Sequence, residues 1–163
     1  MRKVIADENA NVHCSKLPCE AALLEKKQDL SGAEQIYKCL LRVINREYRT
    51  ESFVKYSKFL VRKEELQSAG KNYGKAIAQH LDVYEEYLSM ERVLGDKTRT
   101  RKINEEYLQD SYMDARVWLE LIEFEESMGE VERAEYLFEN ALKVLKNGVD
   151  IIEQEYNKRK YKK

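Results

Sequence analysis

The chain has 163 residues, with 29 Lys+Arg against 30 Asp+Glu and a formal net charge of -1. Six Gly and one Pro are too few for a collagen-like or Pro/Gly-rich disordered chain, and a 43% hydrophobic fraction with cancelling charges is unlike disorder driven by self-repulsion. A charge near zero supplies no global basic field for nucleic acid, and abundant Glu, Lys and Leu with little Gly or Pro reads as helix.

Residues 1–17 show no firm periodicity and read as an N-terminal arm or partial helix. The first residues place acids where a secretory signal needs its apolar stretch, and no window reaches 18 uninterrupted apolar residues. A reducing intracellular compartment with no membrane contact is therefore expected. Cys14, Cys19 and Cys39 are odd in number and form no C-x-x-C pair. His13 adjoins Cys14, but His80 lies far away, so these residues read as thiols with no metal and no cofactor.

From residue 18 the chain repeats itself. The clearest copy is Trp118–Leu142, WLELIEFEESMGEVERAEYLFENAL. Apolar residues at 118, 121 and 124 mark one amphipathic helix, and those at 131, 134, 137, 138, 141 and 142 mark a second. Gly129 between them is a helix C-cap signal. Moved back 34 residues, Tyr84 falls on Trp118, Tyr87 on Leu121, and Met90-Glu91 on Phe124-Glu125. Moved back 65, Phe53, Tyr56, Phe59, Ala69 and Tyr73 fall on Trp118, Leu121, Phe124, Ala134 and Phe138. Moved back 101, Ala33 and Tyr37 fall on Ala134 and Phe138.

Four antiparallel helix hairpins follow, at about 18–45, 50–79, 81–110 and 115–146. A hairpin with one apolar face cannot bury it alone, so the fold expected over 18–148 is an all-α, right-handed superhelical solenoid. A small residue recurs at 33, 69, 100 and 134, with Thr100 in place of Ala, letting two helices approach closely. Residues 149–163 read as a capping helix and a basic tail after the Asn147-Gly148 turn signal.

The expected core is Tyr37, Phe53, Tyr56, Ala69, Tyr73, Tyr84, Tyr87, Trp118, Phe124, Ala134 and Phe138. Exposed aromatics at these positions could instead stack on bases, but their register with the other apolar residues favours packing. Glu91 and Glu125 recur at one repeat position, which suggests a hydrogen bond to a neighbouring hairpin rather than a general acid–base pair. Gly70-Lys71 and Gly74-Lys75 sit inside a helix register and lack phosphate-loop spacing. No catalytic residue is expected. Two basic clusters remain as candidate contacts to an anionic partner: Lys97, Arg99, Arg101 and Lys102, which open a helix, and Lys158, Arg159, Lys160, Lys162 and Lys163 in the tail.

The tetratricopeptide repeat has W-x2-L-G-x2-Y in its first helix, but the Gly position here holds Ile122, Leu88 and Ser57. W-x2-L-x2-F-E at 118–125, Y-x2-Y-x2-M-E at 84–91 and A-E-Y-L-F-E-N-A-L at 134–142 resemble the HAT (half-a-tetratricopeptide) repeat, with FEESMGEVERA most similar to the crooked-neck-like group. The second hairpin departs at Leu60, where the pattern has Glu. The resemblance implies a non-enzymatic scaffold of nuclear RNA processing, foremost pre-mRNA splicing, holding proteins of a ribonucleoprotein complex, with homodimerisation and secondary RNA contact as further implications. Alternatives are a HAT protein of pre-rRNA processing or mRNA 3′-end formation, a direct RNA binder, and a peptide-binding tetratricopeptide-like module.

Overall fold

The computed structural model describes residues 18–42 and 46–160. The expected arm (1–17), with His13 and Cys14, and the tail lysines Lys162 and Lys163 lie outside them. Helices alternate with short turns, and no strand occurs among the described residues: α1 (18–26), α2 (Leu30–Leu40), α3 (Arg46–Arg62), α4 (Leu66–Ile77), α5 (Tyr84–Leu94), α6 (Lys97–Asp110), α7 (Ala115–Ser127), α8 (Val131–Val144) and α9 (Val149–Lys160). None is long and apolar enough to cross a membrane. The fold is all-α, built from HAT/TPR-like helix hairpins, and divides into two compact units between Val83 and Tyr84.

The hairpin turn repeats in detail. One residue in each takes the left-handed conformation: Gln28 (φ 63°), Glu64 (φ 61°), Gly95 (φ 73°) and Gly129 (φ 80°). The next residue, Asp29, Glu65, Asp96 or Glu130, is the N-cap of the second helix. Asp29 and Asp96 accept a hydrogen bond from the backbone N–H of Gly32 and Arg99, each at 2.9 Å. The longer Glu65 and Glu130 make no such side-chain bond. Asp96 thus places an acid against the positive end of α6, which offsets the basic residues of its first turns.

In the first unit α3 packs against both α2 and α4. Ala33 and Ala69 are wholly buried, and Tyr37, Phe53, Tyr56, Phe59 and Tyr73 form the apolar interior. The Tyr37 and Phe59 ring centroids lie 5.0 Å apart. Ser57, also wholly buried, receives a 2.9 Å bond from Asn72 Nδ2, which also donates to the Phe53 carbonyl at 3.0 Å. Charged groups lace the edge of this unit. Glu25 accepts from Tyr37 Oη at 2.7 Å and from Arg62 at 2.8 and 2.9 Å.

In the second unit α5–α6 and α7–α8 are hairpins, α6 packs on α7, and α9 packs on α7 and α8. Thr100 and Ala134, at the small-residue position, are 2% and 1% exposed. Tyr84 stacks on Tyr107 with centroids 4.5 Å apart and donates a 2.5 Å bond to Asp110. Trp118 joins a core with Ala115, Leu119, Ala141, Leu145 and Ile152, and its indole N–H donates to the Tyr112 carbonyl at 2.7 Å. Tyr87 is buried, while Phe124 and Phe138 are half-buried. Phe138 stacks on Tyr156 of α9 at 4.0 Å, and Arg101 lies 5.9 Å over the Phe124 ring.

Candidate interaction site

The recurrent acids Glu91 and Glu125 are both wholly buried. A buried carboxylate without donors is costly, so its partners show what it does. Glu125 on α7 has three guanidinium contacts. Arg101 on α6, in the preceding hairpin, approaches as a fork, Nε at 2.8 Å and Nη2 at 2.6 Å. Arg133 on α8, in its own hairpin, approaches at 3.0 Å. This carboxylate therefore ties three helices of two successive hairpins, and Arg fork geometry suits that task better than a Lys point charge.

Glu91 is less well served. Arg99, which stands in the register of Arg133, reaches it at 3.3 Å, and its Oε2 is buried with no hydrogen-bond partner. Burial raises the Glu91 pKa above the ordinary carboxylate value, only partly offset by Arg99. In the first unit Leu60, 2% exposed, stands for Glu125 and Ser68 for Arg133, while the residue after the small position, Arg101 in α6, is Glu34 in α2, which pairs with Lys63 at 2.8 Å.

Half of the first basic cluster is thus turned toward buried acids of its own unit. Arg99 and Arg101 are bound to Glu91 and Glu125. Lys97 is exposed, and Lys102, with a side chain 76% exposed, lies 3.9 Å from Glu106. In the tail, Lys158 pairs with Glu155 at 2.6 Å, and Arg159 is held by Glu126 at 3.2 Å and by Glu123. Lys160 ends α9. Composition gives no sign of this inward pairing; the available signal was the recurrence of an acid inside an apolar register.

Between α5 and α7 lies an open cleft of about 590 Å³, to which the start of α6 contributes Lys97 and Thr100. Leu119 and Phe124 give it apolar lining, and Lys97, Arg116 and Glu123 contribute charged groups. Arg92 of α5 is ion-paired with Glu120 of α7, two further lining residues. Among the described residues, no group of three or more His, Cys, Asp and Glu could hold a metal, and Cys19 and Cys39 are exposed thiols. An apolar lining with charges of both signs suits a polypeptide segment.

No protein-family model matches the chain. It is similar to the pre-mRNA-splicing factor cwf4 of Schizosaccharomyces pombe, with 26% identity over 132 residues, 72% of this chain and 20% of that protein. It is similar to the protein crooked neck of Drosophila melanogaster, with 30% identity over 119 residues, 71% of this chain and 17% of that protein. The chain is related to the crooked-neck HAT-repeat proteins. Crooked neck-like protein 1 of Mus musculus shows 27% identity over 123 residues, 73% of this chain. The chain spans only about a fifth of the length of these relatives.

Proposed function

We propose that this HAT chain is a non-enzymatic protein–protein scaffold of a nuclear pre-mRNA-splicing complex. The observation that carries the reading is its likeness, over 72% of its length, to a protein named a pre-mRNA-splicing factor. The geometry supports it in kind. Stacked hairpins are pinned by buried ion pairs, and the α5–α7 cleft offers apolar surface rimmed by charge. In this reading the core residues set the hairpin spacing, and the α5–α7 cleft receives a segment of a neighbouring protein.

The basic residues enter chiefly through Lys97 and Lys102, the two cations of the first cluster that point outward, as charge at the edge of a protein interface. Direct RNA reading has less support, because Arg99 and Arg101 are engaged by buried carboxylates. Affinity purification of the tagged chain from its own cells, followed by mass spectrometry, tests the proposal. Recovery of splicing proteins is the expected result. Recovery of rRNA-processing or 3′-end-formation proteins in their place would move the chain to another group, and recovery of neither would sink the proposal.

A further inference from the structure

Glu91 and Glu125 stand at the same repeat position, yet the chain serves them unequally. Glu125 is held by Arg101 and Arg133 through three contacts of 2.8, 2.6 and 3.0 Å. Glu91 is as deeply buried, and Arg99 reaches its Oε1 at 3.3 Å. Its Oε2 is buried with no hydrogen-bond partner. The repeat register does not supply a second guanidinium, because the residue after the small position, Arg101 in α6, is Gly70 in α4. A buried carboxylate oxygen without a donor is costly, and such an orphan in a native fold calls for a partner from outside it.

Glu91 lines the α5–α7 cleft. Other charged groups of that lining are already matched. Arg92 is paired with Glu120, Glu123 with Arg159, and Arg116 with Asp114 at 2.8 Å. Neither Arg92, Arg116 nor the exposed Lys97 reaches Glu91 Oε2. Burial raises the Glu91 pKa, Arg99 lowers it in part, and the like charge of Asp96 at the α6 N-cap raises it further. The cleft therefore sets apolar surface from Leu119 and Phe124 around one acid that is short of a cation.

We propose that the α5–α7 cleft takes an arginine or lysine side chain of a partner polypeptide, whose cationic head donates to Glu91 Oε2 while its aliphatic stem lies on Leu119 and Phe124. The proposal deepens the scaffold reading and rests on it, by naming what the docked segment carries. Long basic side chains suit this cleft because they join an apolar stem to a charged tip. A volume of about 590 Å³ leaves room for flanking apolar residues as well. The same acid disfavours a nucleic-acid phosphate in the cleft.

The test is an NMR titration of the isotope-labelled full chain with a short peptide, acetyl-Ala-Leu-Arg-Leu-Ala-amide. Its control is the analogue with citrulline in place of arginine, which keeps the shape and removes the charge. Saturable shifts at Glu91, Leu119 and Phe124 are expected with the arginine peptide. The citrulline analogue is expected to bind about tenfold or more weakly, the scale of one lost hydrogen bond to a charged group. Glu91→Gln is expected to weaken the arginine peptide by a similar factor while keeping the fold, which circular dichroism and urea unfolding check. Equal binding of the two peptides, equal binding by Glu91→Gln, shifts confined to other surfaces, or lack of saturation would each overturn the proposal. The citrulline comparison leaves the chain untouched, so it decides the outcome even where Glu91→Gln fails to fold. If splicing proteins co-purify and the arginine dependence is absent, only the cleft proposal falls. If the dependence is present and no splicing protein is recovered, only the splicing assignment falls.

Discussion

Arg101 and Glu125 are joined by two parallel hydrogen bonds of 2.8 and 2.6 Å, from a partly exposed guanidinium to a carboxylate with no exposed surface. They lie 24 residues apart in sequence and belong to successive hairpins. Removing one partner of such a pair leaves a charge buried and short of donors, whereas replacing the whole set with apolar residues of similar size need cost little. Arg101→Ala is expected to destabilise the second unit by about 2–4 kcal/mol. The triple variant Arg101→Met, Glu125→Leu, Arg133→Met replaces the whole set with apolar residues of similar size and is expected to recover to within about 1 kcal/mol of the parent. Urea unfolding followed by circular dichroism measures both. Equal losses in the two variants would contradict the swap.

Glu91 makes the opposite case. Its raised pKa means that the unfolded chain ionises first as pH rises. The contribution of Glu91 is then fully present below the unfolded value near 4.5 and is lost as pH climbs through the higher folded value. Glu91→Gln removes that titration. The variant is expected to gain on the parent as pH rises above 4.5, with the gain read as a growing difference in urea midpoint. A constant difference across that range would show that Glu91 stays ionised throughout.

Glu34 titrates in the reverse sense. Bonds from Lys38 and Lys63 hold its pKa down at about 2. Its contribution is present above the unfolded value near 4.5 and is lost as pH falls toward 2. Glu34→Gln is expected to cost about 1 kcal/mol at pH 7, the scale of a partly exposed pair. The cost should vanish near pH 2, so an acid titration of parent and variant should converge.

Backbone strain gives a fourth expectation. Glu64 holds a φ of 61° at the turn where the later hairpins use Gly95 and Gly129. Glu64→Gly is expected to raise stability by about 0.5–1 kcal/mol, because Gly adopts this conformation without a Cβ clash. A thermal melt that moves down instead would mean that the Glu64 side chain does more than fill the turn.

The hairpins were legible because packing leaves a period in the sequence. Trp118, Tyr84 and Phe53 fall one repeat apart, and Ala134, Thr100, Ala69 and Ala33 mark the close approach of helices. The turns at Gln28 and Glu64 were not, since only Gly announces a left-handed residue. The basic run Lys97–Lys102 read as outward charge because charge alone carries no direction. Its inward turn depends on Glu125, whose partners are fixed by the stacking of hairpins rather than by local sequence. The α5–α7 cleft is likewise a product of packing, with no motif of its own.

If the chain holds splicing proteins by protein contact, their recovery with it does not depend on RNA. Quantitative affinity purification of the tagged chain, with and without ribonuclease treatment of the lysate, tests it most directly. Splicing proteins are expected to be recovered to the same extent in both. Recovery that collapses on ribonuclease treatment, or no splicing protein in either sample, would contradict it.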